Sequence, residues 1–418
     1  MSAPMVYDTI VIGGGPGGST AGAFLAKAGR RVLILEKEVF PRFHIGESLL
    51  PFGNDVLKES GAWPKIEAAG FQPKHGAEFF VGNGSRWQRF WFARGLVPGY
   101  GQTFQVERAR FDEVLLDHAA SCGCEVREGC EAKTVSRDGD EWRIVYREGE
   151  ARSRWLIDAS GCDAFLTRTL GVARKPMNLP KRIAVYAHFK GVYRNPGDAE
   201  GHITIVRIKD GWFWLIPLTN GKMSVGMVRS LDDFKRFGGT VEEWFAKTIA
   251  LSRELRQRMN EALQISPFYK ASDYSYYHEQ LATDRALLIG DAAGFIDPIF
   301  SSGVHIATKS AQLATRLICG AHAQGRALSI REQQDYSRHV HRYMDVYREM
   351  VEMYYDNRAF EVLMYPRGGL GMVPAVNSVL AGNFHRMFKV WWRVKLFHFV
   401  CAIHRRVPIV PRLDYSES

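Results

Sequence analysis

Seven residues near the start of the chain could hold a dinucleotide. Gly13, Gly14, Gly15, Pro16, Gly17, Gly18 and Ser19 spell G-x-G-x-x-G. Gly13 permits a tight turn, Gly15 lets the backbone approach a pyrophosphate, and Gly18 lets a helix pack close to a sheet. The unpaired N–H groups at the start of the following helix favour phosphate. Glu36 stands where it can accept ribose hydroxyls. Three other places carry chemistry. Lys74 offers an amine on a loop bounded by Pro73 and Gly76, where a lysine is ordinarily a surface charge. Trp212 to Pro217 puts Trp212, Trp214 and Ile216 at alternate positions. Ser301, Ser302 and Gly303 precede a helical stretch whose first N–H groups could bind an anion, although a serine pair there could equally serve as an N-cap.

These residues need particular elements to position them. Asp8 to Ile12 reads as a buried strand, Thr20 to Ala28 as a small-residue helix, and Arg31 to Leu35 as a second strand, so the glycine loop sits in a full β-α-β setting. Arg285 to Gly294 reads as a strand ending in Gly290-Asp291 before a helix start. Taken alone, Asp291 could be a helix N-cap. With Arg108 to Asp112 and Leu156 to Gly161, this segment resembles the second fingerprint of hydroxylase-type flavoproteins. That resemblance implies FAD, with Asp291 on the ribityl chain and Gly294, Arg42, Ser48 and Arg108 beside the cofactor. No second glycine-rich β-α-β unit is present for a nicotinamide, so reduced FAD is expected from a separate flavin reductase.

The stretch Trp212 to Pro217 resembles the W-x-W-x-I-P signature of flavin-dependent halogenases, and Phe295 to Gly303 resembles their F-x-x-P-x-x-S-x-G signature. Phe40 to Pro51 looks like the segment after the second strand in the phenol- and pyrrole-directed branch, and also like geranylgeranyl-reductase-like flavoproteins. The resemblance covers roughly residues 5 to 350. Lys74 matches the lysine that family uses. It implies that halide is oxidised to hypohalous acid, which the amine then delivers to one carbon of an electron-rich aromatic ring. Partial burial would lower the amine's pKa. Trp212, Trp214, Ile216, Pro217, Phe295 and Pro298 would gate the substrate away from the flavin, and Ser301, Ser302 and Gly303 would hold chloride or bromide. The glutamate that tryptophan halogenases place opposite the lysine has no counterpart identifiable in the sequence. An aromatic hydroxylase or a geranylgeranyl-reductase-like oxidoreductase on the same scaffold is the alternative.

The expected architecture is α/β: a Rossmann-type FAD-binding domain, a mainly antiparallel substrate-side β-sheet and a C-terminal helical region. The FAD lobe would comprise residues 1–76, 100–180 and 280–330, the sheet 181–280, and the helical region with a basic tail 331–418. At 418 residues, 46% hydrophobic and 24% charged, the chain has the composition of a soluble globular protein. No basic-then-apolar leader and no long uncharged apolar run appears, and the six cysteines lack metal-ligand spacing. A cytoplasmic, reduced protein with no metal is expected, with Cys122 and Cys124 as an outside candidate for a redox pair. The formal charge of +10 is uneven: no acid lies between Glu361 and Asp414, while Arg367, Arg386, Lys389, Arg393, Lys395, Arg405, Arg406 and Arg412 do. That run suits a solvated face, an acidic carrier protein bearing the substrate, or peripheral contact with an anionic membrane surface. No nucleic-acid motif accompanies it. Gln333 to Glu361 and Phe388 to Ile403 read as helices, the aromatic and Met content of the first being packing in preference to a substrate cage.

Overall fold

The computed structural model describes residues 6–272, 275–366, 369–383 and 388–415. Two sheets organise the molecule. In the first, Glu125–Arg127, Val32–Leu35, Val6–Ile12, the C-terminal half of Gly149–Asp158 and Ala286–Leu288 run parallel in that order. The N-terminal half of Gly149–Asp158 continues into an antiparallel meander with Glu141–Tyr146 and Ala132–Asp138. Val32–Leu35 is apolar throughout and Val6–Ile12 ends on the apolar run Ile10 to Ile12, as strands covered on both faces require. The helices Pro16–Lys27 and Gly303–Ala323 pack against each other.

The second sheet has eight strands and is mainly antiparallel, with Ile203–Ile208 beside Gly76–Val81 as its parallel pair. Gly76–Val81 and Trp87–Trp91 thus join the same sheet as Arg182–Lys190, Ile203–Ile208, Gly211–Pro217 and Met223–Ser230. Alternation divides the strand Gly211–Pro217. Trp212, Trp214 and Ile216 enter the core shared with the first sheet, whereas Phe213 and Leu215 enter a second core with Trp244 and Phe245. Gly226 on the neighbouring strand is required by this packing, because a Cβ there would stand 2.1 Å from the Trp214 ring.

The chain then turns helical: Ile330–Tyr355, Asn357–Met364, Met372–Leu380 and Phe388–Arg406. Tyr336, Met344, Tyr347, Met350 and Tyr354 are buried in the main core, so the Tyr/Met-rich stretch is packing. The basic tail is more neutralised than its sequence implies. Arg405 reaches Asp356 (2.7 Å), Arg412 reaches Glu361 (2.9 Å) and Lys395 reaches Glu349 (3.7 Å), all acids that precede the acid-free run. Glu361 also receives His404 at 2.9 Å. Arg367 and Arg386 lie outside the described residues. Cys122 and Cys124 are free thiols, and burial pushes Cys124 up to about 12, away from the thiolate that redox exchange needs. Among the described residues, no helix is long and apolar enough to cross a membrane.

Gly226→Ala tests the tryptophan packing. The added methyl should cost about 1–3 kcal/mol as overpacking, read as a lower midpoint in thermal or urea unfolding.

Candidate functional site

A cavity of about 440 Å³ lies between the two sheets. Two helix N-termini open onto it. At the first, Gly13 adopts φ +103°, and a Cβ there would fall 2.3 Å from the Ala159 carbonyl oxygen. A Cβ on Gly18 would fall 1.9 Å from the Gly13 carbonyl oxygen, so both positions exclude every other residue. Gly15 is the N-cap of Pro16–Lys27, with no side-chain cap and no acid in the first turn, which leaves the terminal N–H groups for an anion. Gly13, Gly15, Pro16 and Gly17 line the cavity. Gly18 and Ser19 stand behind it; the Ser19 hydroxyl donates to the Gly14 carbonyl (2.7 Å) and holds the loop. Glu36 also lines the cavity and accepts from the Gly14 N–H at 2.6 Å and the Glu38 N–H at 2.9 Å.

The second N-terminus carries Ser301, Ser302 and Gly303, all on the cavity wall with Phe295 and Pro298. Ser301 takes φ +56°, a left-handed conformation that costs a non-glycine residue energy and is found at functional turns. Ser302 occupies the N-cap position of the helix Gly303–Ala323, yet its side chain caps nothing. The capping alternative therefore falls for Ser302. Asp291 is likewise not a cap: it sits inside the short turn Gly290–Ala292, whose N-cap is Ile289. Burial pushes the Asp291 carboxyl up to about 6, with Arg108 opposing that rise.

Residues 42–48 cross between the sheets as a strap. Arg108 grips Asp112 through two hydrogen bonds (2.7 and 2.8 Å) and donates to the Ile45 carbonyl at 2.6 Å. Arg42 donates to the same carboxylate at 3.0 Å. Gly46 passes at φ +104°, where a Cβ would meet the Arg108 guanidinium at 2.9 Å. Arg42, Ser48 and Arg108 all line the cavity.

Lys74 reverses the ordinary expectation for such a lysine: it is 1% exposed. It ends the strand Gln72–Lys74, and its Nζ donates to the Ser48 hydroxyl and the Leu49 carbonyl, both at 2.8 Å, 5.3 Å from the Phe92 ring centre. Burial alone lowers its pKa to about 7, so the amine is substantially neutral near neutral pH. Lys74 does not itself line the cavity; Ser48 does. Ser48 caps no helix. Trp212, Trp214 and Ile216 face the cavity, whereas Pro217 and Gly294 do not, Pro217 because it alternates to the other side of its strand.

Several residues had escaped notice as candidates. The Trp212 indole N–H donates to the Tyr355 hydroxyl (2.9 Å), which donates to Asp297 (3.0 Å). Asp297 lines the cavity, and burial pushes it up to about 6. It lies inside the quoted motif, but Tyr355 comes from a helix 58 residues later, and no local pattern ties them. Glu47 lines the cavity too, one residue before Ser48, bonded to His188 at 2.8 Å.

The site therefore has a fitted cradle for an anionic dinucleotide, indoles and an uncapped helix N-terminus on its wall, and a buried amine behind Ser48. The FAD-binding domain family matches residues 6–341. A 1H-pyrrole-2-carbonyl-[peptidyl-carrier protein] chlorinase of Pseudomonas fluorescens is 34% identical over 74% of this chain and 75% of its own length. The corresponding brominase of Pseudoalteromonas luteoviolacea is 36% identical over 72% of this chain and 75% of its own. Among solved structures, a myxobacterial chondrochloren halogenase described as a variant FAD-dependent halogenase is 32% identical, with TM-score 0.78 over 95% of this chain and 97% of that one. A flavoprotein/dehydrogenase from Cytophaga hutchinsonii is 31% identical, with TM-score 0.88 over 96% and 99%. The glycine cradle, the tryptophan strand and these matches agree, and the chain belongs to the flavin-dependent halogenase family, within the FAD-binding domain family.

Proposed function

We propose that the protein halogenates an electron-rich aromatic ring, with Lys74 delivering the halogen. The observation that carries this reading is the amine itself: fully buried, lowered to about 7 and held by Ser48 at the cavity wall. FAD, once bound and reduced by a separate reductase, would supply the two electrons that bring oxygen to the peroxide level, and oxygen at that level would be the oxidant that turns halide into hypohalous acid. Gly13, Gly15, Pro16, Gly17 and Glu36 would hold the adenosine diphosphate part of FAD, with Gly18 and Ser19 shaping the loop and Gly294 packing behind. Arg42, Arg108 and Asp291 flank the rest. The two sheets divide the work, the parallel one serving the cofactor and the eight-stranded one the substrate.

The remaining groups follow from charge and size. The N–H groups of Gly303 and the residues after it favour a halide, with the uncapped Ser302 hydroxyl beside them and Ser301 setting the turn. Trp212, Trp214 and Ile216 line the cavity with Phe295 and Pro298, and Pro217 ends their strand. They keep a substrate off the flavin and so suppress direct oxygen insertion. The Trp212–Tyr355–Asp297 chain fixes one indole in that position. Lys74 in its neutral form can hydrogen-bond the oxidant or form a haloamine, and Ser48 is the group through which it meets the cavity.

Two relatives act on pyrrole carbonyl groups tethered to a carrier protein, and a tethered substrate is the proposal here as well. Phe388, Trp391, Phe399 and Ile403 are exposed on the helix Phe388–Arg406 and give an apolar stripe beside Lys389 and Arg406 that would suit an acidic carrier. The likeness to a flavoprotein/dehydrogenase keeps plain oxidoreductase chemistry as the second reading.

Lys74→Ala should still consume oxygen and release peroxide from reduced FAD while halogenated product falls at least about 100-fold. Product formed at the wild-type rate would defeat the mechanism and favour the second reading. In the wild type, product formation should rise with pH through about 7, as the Lys74 amine sheds its proton.

Asp291 offers a test that needs no turnover. Its carboxyl is raised from 3.8 to about 6, so the folded chain keeps this proton to a higher pH than the unfolded chain. The folded state is therefore penalised increasingly between those two values and constantly above them. Cofactor-free Asp291→Asn should match wild type near the lower value and exceed its stability by about 1–3 kcal/mol well above the upper one. Urea unfolding measures this, and FAD affinity of the variant should fall.

A further inference from the structure

The strap residue Glu47 has an unmet requirement that the chemistry above does not use. Its side chain is 1% exposed and belongs to the cavity wall. One carboxylate oxygen, Oε1, is bonded to His188 Nε2 at 2.8 Å. The other, Oε2, is buried with no hydrogen-bond partner. Leaving a buried acceptor unpaired costs about 1–3 kcal/mol, more when it is charged, and such a group persists where a ligand completes it.

The surroundings say what kind of ligand. Tyr186 and Trp214 share the cavity wall, their ring centres 5.7 Å apart. Behind Tyr186, Tyr269 and Phe43 stack on each other at 4.1 Å, and Phe43 stands edge-on to His188. An aromatic wall beside a carboxylate with a spare acceptor suits a flat ring that carries an N–H or O–H. The next residue in the strap is Ser48, which accepts from Lys74. Glu47 and Ser48 line the same cavity, so the recognition carboxylate and the hydroxyl that meets Lys74 share one wall.

We propose that Glu47, oriented by His188, is the recognition residue for the substrate, accepting a hydrogen bond from a ring N–H or phenolic O–H. The inference rests on the halogenase reading for the identity of the ring as substrate. A hydrogen bond to a carboxylate also pushes electron density into the ring, which favours attack on electrophilic halogen at carbon. Selectivity comes from the same source. A site built to accept a hydrogen bond rejects an analogue that lacks the donor far more strongly than one that differs by a methylene.

The test uses the full chain loaded with oxidised FAD and two isosteric probes, 2-acetylpyrrole and 2-acetylfuran, which differ by N–H against ring oxygen. Titration calorimetry should show wild type binding the pyrrole at least about tenfold more tightly, which is about 1.4 kcal/mol. Glu47→Gln keeps the contact with His188 but loses the charge, and should bring the ratio within about threefold. Glu47→Asp, which keeps the charge and shortens the reach, should lower it as well. Equal binding of the two probes by wild type, no binding of either at millimolar concentration, or a ratio that survives Glu47→Gln would overturn the proposal. Loss of FAD affinity in both variants would do so too, by assigning the spare oxygen to the cofactor. A parallel assay of 2-acetylpyrrole bromination by wild type with reduced FAD, oxygen and bromide keeps the two readings apart. A selective binder that makes no brominated product would sink the halogenase mechanism while leaving Glu47 recognition standing.

Discussion

Arg108 and Asp112 form a buried, two-point ion pair one helical turn apart, and the geometry of the cavity mouth hangs from it. The guanidinium spends a third N–H on the Ile45 carbonyl, while the carboxylate takes a further bond from Arg42. That arrangement pins residues 42–48 between the sheets, and Gly46 must lack a side chain for the strap to pass. A charge pair removed from water is costly unless its hydrogen bonds are satisfied. Here both carboxylate oxygens and all three guanidinium nitrogens find partners, so the pair gives the strap one position instead of several.

From that position follow the states of the neighbouring groups. Ser48 and the Leu49 carbonyl meet the Lys74 amine, which loses basicity because it is buried. Glu47 is carried to His188 across the gap between the strap and the eight-stranded sheet. Asp291 and Asp297 face the same enclosed space, and both are pushed toward the neutral acid by burial. Low dielectric thus acts on acids and amine alike. It narrows the gap between their proton affinities, the condition that suits proton transfer near neutral pH.

The second constraint is size. The Trp214 indole needs the space that Gly226 opposite leaves, and the other face of the same strand is already committed to Phe213, Leu215 and their own core. The strand has no freedom to rotate its tryptophans out of the cavity. The Tyr355 and Asp297 contacts then fix the Trp212 ring from the helical region. In this way the C-terminal helices contribute to the site while their Tyr and Met side chains are spent on packing.

Much of this was legible in the chain itself, wherever the information is local. The glycine loop, its flanking strands and helix, the alternation of the tryptophan strand and the helix after Gly303 each depend on contacts within about ten residues. Pattern and backbone sterics therefore determine them. Tertiary structure alone decided the rest, because burial and charge neutralisation are properties of neighbours distant in sequence. Lys74 reads as a surface lysine until the strap covers it. The basic tail reads as unbalanced until Asp356, Glu361 and Glu349 fold against it. Ser48 reads only as a neighbour of the cofactor until Lys74 arrives from 26 residues away. Glu47 gives no signal at all, since its partner is 141 residues further along the chain and its spare oxygen exists only once the cavity has closed around it.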